Sequence, residues 1–227
     1  MSADGPPERP GRTGLGALTP GEVPTRAALW QAIGGMRGLL ESILPGLAFL
    51  VLYAVTKDTW LSVIPPVIIA AAFLLVRLVQ RQSPLGALGG FLIVVVSAAS
   101  ALLTGNANDN FLPGLWVNGL FLVAMLVSLL VRWPFVGLVY GVLTGDPVGW
   151  RQAHRVRRAA IASTWLWAAL FAARLIVELP LYFAEQTEAL ALAKLLMGIP
   201  LYAATLWLTW LLLRRQAAPA EEPREAN

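Results

Sequence analysis

The sequence contains no cysteine, which excludes disulfide bonds, thiol catalysis and cysteine metal sites. Its single histidine, His154, lies among arginines without a carboxylate nearby, so we expect neither a metal site there nor a bound cofactor. Charged residues make up only 13% of the chain, about half the share usual in soluble domains, whereas 57% of the residues are hydrophobic. This imbalance indicates a protein whose surface faces lipid rather than water over most of its area.

Motifs that carry enzyme chemistry are also missing. The sequence has no glycine-rich phosphate loop, no set of serine, histidine and aspartate, and no histidine pair at helical spacing. We therefore expect no catalytic residues and no enzymatic activity. The net charge of +4 could indicate nucleic acid binding, but the arginines stand at the ends of apolar runs, where anionic lipid head groups lie. We expect the bilayer, not nucleic acid, as the partner of these residues.

Long apolar runs predict the fold class, an all-α bundle of transmembrane helices. A bilayer span needs about 20 apolar residues, and six runs approach or exceed that length. The predicted spans are residues 41–56, 60–80, 85–103, 115–131, 159–184 and 189–213. They form one transmembrane domain over residues 29–215. The flanking segments 1–28 and 216–227 are rich in glycine, proline and charge, and we expect them to be disordered cytoplasmic tails.

Two shorter patterns add detail to the bundle. The run "WPFVGLVYGVL", residues 133–143, is too short to span and carries three aromatic residues, so it predicts an interfacial segment between spans four and five. Small residues in the third span, at 86–90 and 97–101, allow close backbone approach. They predict either a central helix or a homodimer face.

The distribution of arginine predicts the orientation. With the N-terminus in the cytoplasm, nearly all arginines outside the spans fall on the cytoplasmic side, whereas Lys57 is the only basic residue in the loops on the opposite side. We expect a multi-pass protein of a bacterial cytoplasmic (inner) membrane with both termini in the cytoplasm. The densest cluster is Arg151, Arg155, Arg157 and Arg158. This basic patch could bind anionic lipid head groups or an acidic partner, or it could serve only to fix the topology.

Three charges fall well inside predicted spans, away from the span ends: Arg174, Glu178 and Lys194. Charges at such depth are rare and often mark a binding or transport site, so one hypothesis is an outer-half polar site for an ion, a proton or an anionic head group. The other is structural. Arg174 and Glu178 share a helix face at i and i+4 and could neutralise each other, while Lys194 extends toward the surface along its aliphatic stem.

The loop "TGNANDNFLPG" before span four is a second polar candidate. Asn106, Asn108, Asp109 and Asn110 supply oxygen atoms that somewhat resemble a calcium loop. The closing bidentate glutamate and the spacing of such loops are missing. We therefore interpret the segment as an extracytoplasmic turn rather than a metal site.

Several strings together resemble an actinobacterial membrane family known as domain of unknown function 3159. They are "TGNANDNFLPG", "RWPFVG", "RLIVELPLY" and "GIPLY", and the resemblance covers about residues 41–215. The order of features is more distantly similar to the intracellular septation protein A family. That similarity includes Pro45, Phe49 and Tyr53 in the first span, an Asn-Asp-x-Phe turn before the fourth, and Lys194 in the last.

The septation family implies an envelope or cell-division role without catalysis, and hence envelope or division proteins as partners. This chain has Leu115 at a position where that family has a basic residue. It also has charged residues, Arg174 and Glu178, at two positions where that family has uncharged residues. The sequence therefore leads to two hypotheses of function. The first is a non-enzymatic envelope or division factor, and the alternative is a small-solute, ion or lipid transporter that uses the charges within the spans.

Overall fold

The computed structural model describes residues 35–80 and 85–217, and within them the regular structure is helical. We number the α-helices in chain order. They are α1 (Gly35–Thr56), α2 (Thr59–Val79), α3 (Leu85–Thr104), α4 (Leu112–Leu130), α5 (Phe135–Thr144), α6 (His154–Phe183), α7 (Thr187–Leu196) and α8 (Ile199–Ala217). Two 3₁₀ helices, Ala107–Phe111 and Gly149–Arg151, precede α4 and α6. The all-α prediction is confirmed for this part of the chain.

The predicted tails lie almost wholly outside the described residues. This applies to residues 1–28 and to 218–227. Gln216 and Ala217, which we expected to begin the second tail, instead continue α8.

Four segments are long and apolar enough to cross a membrane: Thr59–Val79, Ala107–Leu130, His154–Phe183 and Thr187–Arg214. The apolar parts of α1 and α3 are shorter, Ile43–Thr56 and Leu88–Thr104, and so the count of six spans stays a prediction. Large apolar side chains cover the outside of the bundle, and Leu103 is 87% exposed. Such a surface is suited to lipid, because soluble monomers rarely expose extended apolar patches.

Helix ends follow local chemistry. The Asp58 carboxylate accepts a hydrogen bond of 2.9 Å from the Leu61 amide at the start of α2. The Asn106 side chain caps the first 3₁₀ helix in the same way, by accepting from the Asn108 amide at 2.9 Å. At the end of α5, Gly145 takes a left-handed conformation with φ 76°, which glycine adopts without steric cost.

The predicted sixth span is divided into α7 and α8. Pro200 has no N–H and cannot donate to the carbonyl of Leu196 four residues earlier, and Gly198 lies next to the break. α7 therefore ends at Leu196, and α8 begins at Ile199. The interruption leaves the carbonyl of Met197 free to accept a hydrogen bond from a side chain.

The helices pack as two groups joined mainly by α7. In the first group α1 and α3 pack against α2, and in the second α4, α5 and α8 pack against α6. α7 packs against α1 and α6, and α3 also contacts α4. Phe49, Val63 and Leu190 are among the buried residues of the core that α7 shares with the first group. The core of the second group contains Met125, Leu170 and Phe171.

The bundle has two chemically different ends. The turns at residues 56–59, 105–111 and 184–187 meet at one end, where Thr59 Oγ1 donates to the Gly105 carbonyl and Lys57 pairs with Glu188. We call this the polar-turn end. The opposite end, which we call the arginine end, carries Arg77, Arg132, Arg151, Arg155, Arg157, Arg158 and Arg214.

The segment predicted to be interfacial forms the ten-residue helix α5, which lies against α6. The Val136 amide donates to Thr164 Oγ1 at 3.2 Å. The Trp150 ring covers Gly137 and Gly141, and a Cβ on either glycine would come within 2.8 Å of it. Trp150 is only 4% exposed, so it fixes the connection between α5 and α6.

Candidate functional site

Arg174 and Glu178 form a buried ion pair one turn apart on α6. Arg174 is 5% exposed and Glu178 2% exposed, and Nη2 of the arginine lies 2.8 Å from Oε1 of the glutamate. Their spacing of four residues places both side chains on the same face of the helix. Removing two charges from water is costly, and their attraction offsets that cost only when further hydrogen bonds support the pair.

Three other helices or turns supply contacts to the pair. Asn118 on α4 donates from Nδ2 to Glu178 Oε2 at 3.2 Å. Arg174 Nη1 donates to the Met197 carbonyl at 3.1 Å, at the break between α7 and α8. The guanidinium also lies 5.4 Å from the centre of the Tyr202 ring. Its Nε atom is buried and has no hydrogen-bond partner among the described residues.

Lys194 on α7 lies beside this pair but does not join it through an ion pair within the described residues. Its Nζ is 5.0 Å from the centre of the Phe111 ring. The amine lies against Gly114 on α4, where a Cβ would come within 3.0 Å of Nζ. Lys194 interacts electrostatically with Glu178 and with Arg174. Two cations therefore share one carboxylate, and the group carries one net positive charge.

A cavity of about 710 Å³ reaches these charges from between α1, α2, α3 and α7. Lys194, Arg174 and Asn110 line it toward the polar-turn end, and Glu41 and Arg77 line it toward the arginine end. The wall between them is mainly apolar and consists of Pro45, Phe49, Val63, Pro66, Ala70, Phe73, Leu74, Phe91, Ile93, Val94, Ala98, Phe111, Ala191 and Leu195, with Ser97 and several glycines. This volume lies within the range of about 300–1,000 Å³ usual for small-molecule sites.

Sequence reasoning missed the charges at the far end of the cavity. Glu41 Oε2 accepts from Arg77 Nε at 2.9 Å and lies 2.6 Å from Nη2. The two residues are 36 positions apart, and only the antiparallel packing of α1 on α2 brings them together. It also missed Asn118, although a polar residue within predicted span four was a visible signal.

Polar side chains of the loop at residues 106–110 stabilise the polar-turn end through hydrogen bonds. Asn108 is 1% exposed, donates to the Tyr182 carbonyl at 2.7 Å and accepts from Thr187 Oγ1 at 3.4 Å. Asp109 accepts a hydrogen bond of 2.6 Å from the Tyr182 hydroxyl. Asn106 caps the 3₁₀ helix and Asn110 lines the cavity. No three histidine, aspartate or glutamate side chains come together within residues 35–80 and 85–217.

The basic patch lies at the arginine end, away from the three charges in the spans. Arg151 stacks over Trp133, with its guanidinium carbon 4.1 Å from the ring centre. Arg155 and Arg158 are exposed at the start of α6, and Arg157 is half-buried. A binding role for this patch stays a prediction.

Apolar helices around a buried polar cluster define a helical protein of the membrane type. Over residues 33–220 the sequence matches the family described as protein of unknown function (DUF3159), and the chain belongs to that family. The family prediction is thereby confirmed, while the distant similarity to septation protein A stays a prediction. Neither a curated protein nor a solved structure matches the chain.

Proposed function

We propose that this protein is a non-enzymatic, multi-pass protein of a bacterial cytoplasmic membrane that binds an anionic ligand inside its helix bundle for transport or lipid handling. The observation that carries the proposal is Lys194, a cation that lines a cavity of about 710 Å³ and has no ion-pair partner within the described residues. Charges at this depth are costly and commonly mark sites for substrates or ions.

Electrostatics favours an anion over a cation or a neutral solute. Arg174, Glu178 and Lys194 carry one net positive charge in surroundings that are mostly apolar. A buried charge without a counterion is unfavourable, and an anion beside Lys194 supplies one. Arg174 also lines the cavity, and its positive charge attracts the same anion.

The proposal includes six spans with both termini in the cytoplasm. α1 and α3 have 22 and 20 residues, which at 1.5 Å per residue matches a hydrocarbon core about 30 Å thick. Basic residues favour the cytoplasmic side, and this rule supports a cytoplasmic position for the arginine end. A reporter that is active only in the cytoplasm, fused after residue 227, would contradict this topology by remaining inactive.

A structural role in the envelope or in cell division is the second candidate. It is supported by the direct pairing of Arg174 with Glu178, which neutralises two of the three charges without any ligand. The protein would then act through partner proteins or a second copy of itself. Deleting the gene discriminates between the candidates, because defects of envelope and septum favour this role, whereas selective loss of uptake or export of one solute favours transport.

Native mass spectrometry of the purified protein tests the binding proposal directly. We expect wild-type protein to retain a bound anionic species and the Lys194→Met variant to lose it, because methionine keeps the stem and removes the charge. Arg155→Gln is the matched control, since it removes an exposed charge from the basic patch. Equal retention by wild type and Lys194→Met, or absence of any anionic species from the wild type, would contradict the proposal.

A further inference from the structure

We infer that the ligand is an anionic amphiphile, with a carboxylate or phosphate head group beside Lys194 and Arg174 and an apolar chain along α1, α2 and α3. The inference rests on the proposed function and adds the class of ligand. It comes from the distribution of polarity in the cavity, which has charge at its two ends and apolar side chains between them.

The length of the cavity fits a chain better than a compact solute. Val63 and Arg77 both line it and lie fourteen residues apart on α2, which corresponds to about 21 Å along the helix axis. That is about two thirds of the thickness of a bilayer's hydrocarbon core. Phe49, Phe73, Phe91 and Val94 are among the residues that line the path, and none of them offers a side-chain hydrogen bond.

The two ends of the cavity differ in what they offer an anion. At the arginine end, Arg77 is already paired with Glu41 in an ion pair of 2.6 Å. At the polar-turn end, Lys194 lacks an ion pair within the described residues, and Arg174 has an Nε without a hydrogen-bond partner there. Arg174 also lines the cavity, so its positive charge adds to that of Lys194 at this end. This asymmetry orients the head group toward the polar-turn end.

Some of the residues that line the cavity are also exposed on the sides of α1 and α3, where the surface is suited to lipid. Gly46 on α1 and Gly90 and Ile93 on α3 are exposed residues that also line the cavity. A Cβ built on Gly90 meets no atom within 4 Å. An amphiphile in the bilayer can therefore enter between α1 and α3 without first passing through water.

A bulky residue at position 90 tests this route. We expect Gly90→Phe to raise the dissociation constant of radiolabelled oleate by about tenfold or more, since the ring occupies the path of the chain. Gly89→Phe is the matched control. Gly89 is also exposed and has open space around it, but it does not line the cavity, so oleate binding should be unchanged.

Competition by inorganic phosphate distinguishes the proposed binding of an anion from the inferred binding of an anionic amphiphile. If phosphate competes with oleate for wild-type protein and Gly90→Phe binds oleate normally, the site takes an anion but not an amphiphile, and the inference is overturned while the proposed function stands. If Gly90→Phe and Gly89→Phe weaken oleate binding equally, the lateral route is wrong. If oleate binding is weakened only by Gly90→Phe while phosphate binding persists, the inference is supported.

Discussion

Replacing Glu178 by leucine is expected to lower the free energy of unfolding by about 3–5 kcal/mol, the cost typical of breaking a buried ion pair by removing one partner. The carboxylate is buried and compensates two cations, so its loss leaves Arg174 and Lys194 in apolar surroundings with like charges close together. Chemical unfolding of the protein in mixed micelles measures this change.

Two further variants make the result specific to the buried pair. The double variant Arg174→Met with Glu178→Leu should recover much of the lost stability, because it removes one cation together with the carboxylate and returns the cluster to the net positive charge of the wild type, now carried by Lys194 alone. Glu188→Leu is the control, since Glu188 pairs with Lys57 on the exposed surface, where an ion pair contributes at most about 1 kcal/mol. Equal losses for Glu178→Leu and Glu188→Leu would show that the buried pair has no special role.

Replacing Trp150 by alanine is expected to destabilise the protein by about 3–5 kcal/mol, as for other buried aromatic residues. The indole is buried against Gly137 and Gly141, and its Nε1 donates to the Pro147 carbonyl at 2.9 Å. Without the indole, the side of α5 that carries Gly137 and Gly141 loses its packing partner. Thermal unfolding in detergent, followed by circular dichroism, measures the effect.

Trp116→Ala provides the comparison for this prediction. Trp116 has the same side chain but is 73% exposed on α4, where truncation removes contact with lipid or detergent rather than a packed core. We expect its unfolding temperature to stay close to that of the wild type. If Trp116→Ala lowered the unfolding temperature as much as Trp150→Ala, the burial of Trp150 against α5 would not explain its contribution to stability.

Features that depend on residues close together in the chain could be predicted from the sequence. Apolar runs of bilayer length predicted α2, α3, α4 and α6 within a few residues of their ends, because a helix in lipid must satisfy its own backbone. The i,i+4 spacing of Arg174 and Glu178 predicted that they could pair, and the structure places them at 2.8 Å. The proline at position 200 was also visible, but the resulting break in the predicted sixth span was not anticipated.

Features that depend on packing between distant segments were not predictable. The pairing of Arg77 with Glu41 and the hydrogen bond from Asn118 to Glu178 require particular helix neighbours and rotations. The cavity arises because α1 and α3 both pack on α2 and leave space between them. Apolar residues of similar size occupy packed and lining positions, so composition alone does not distinguish a filled interior from a cavity.

The affinity for oleate of the Lys194→Met and Lys194→Arg variants tests the central claim most directly. If the cation at this position binds the anionic head group, Lys194→Met should raise the dissociation constant by about tenfold or more, while Lys194→Arg keeps most of the affinity. Loss of a cation without an ion-pair partner in the described residues should leave the bundle folded, which the unfolding temperature verifies. Oleate binding by Lys194→Met with wild-type affinity would contradict the account.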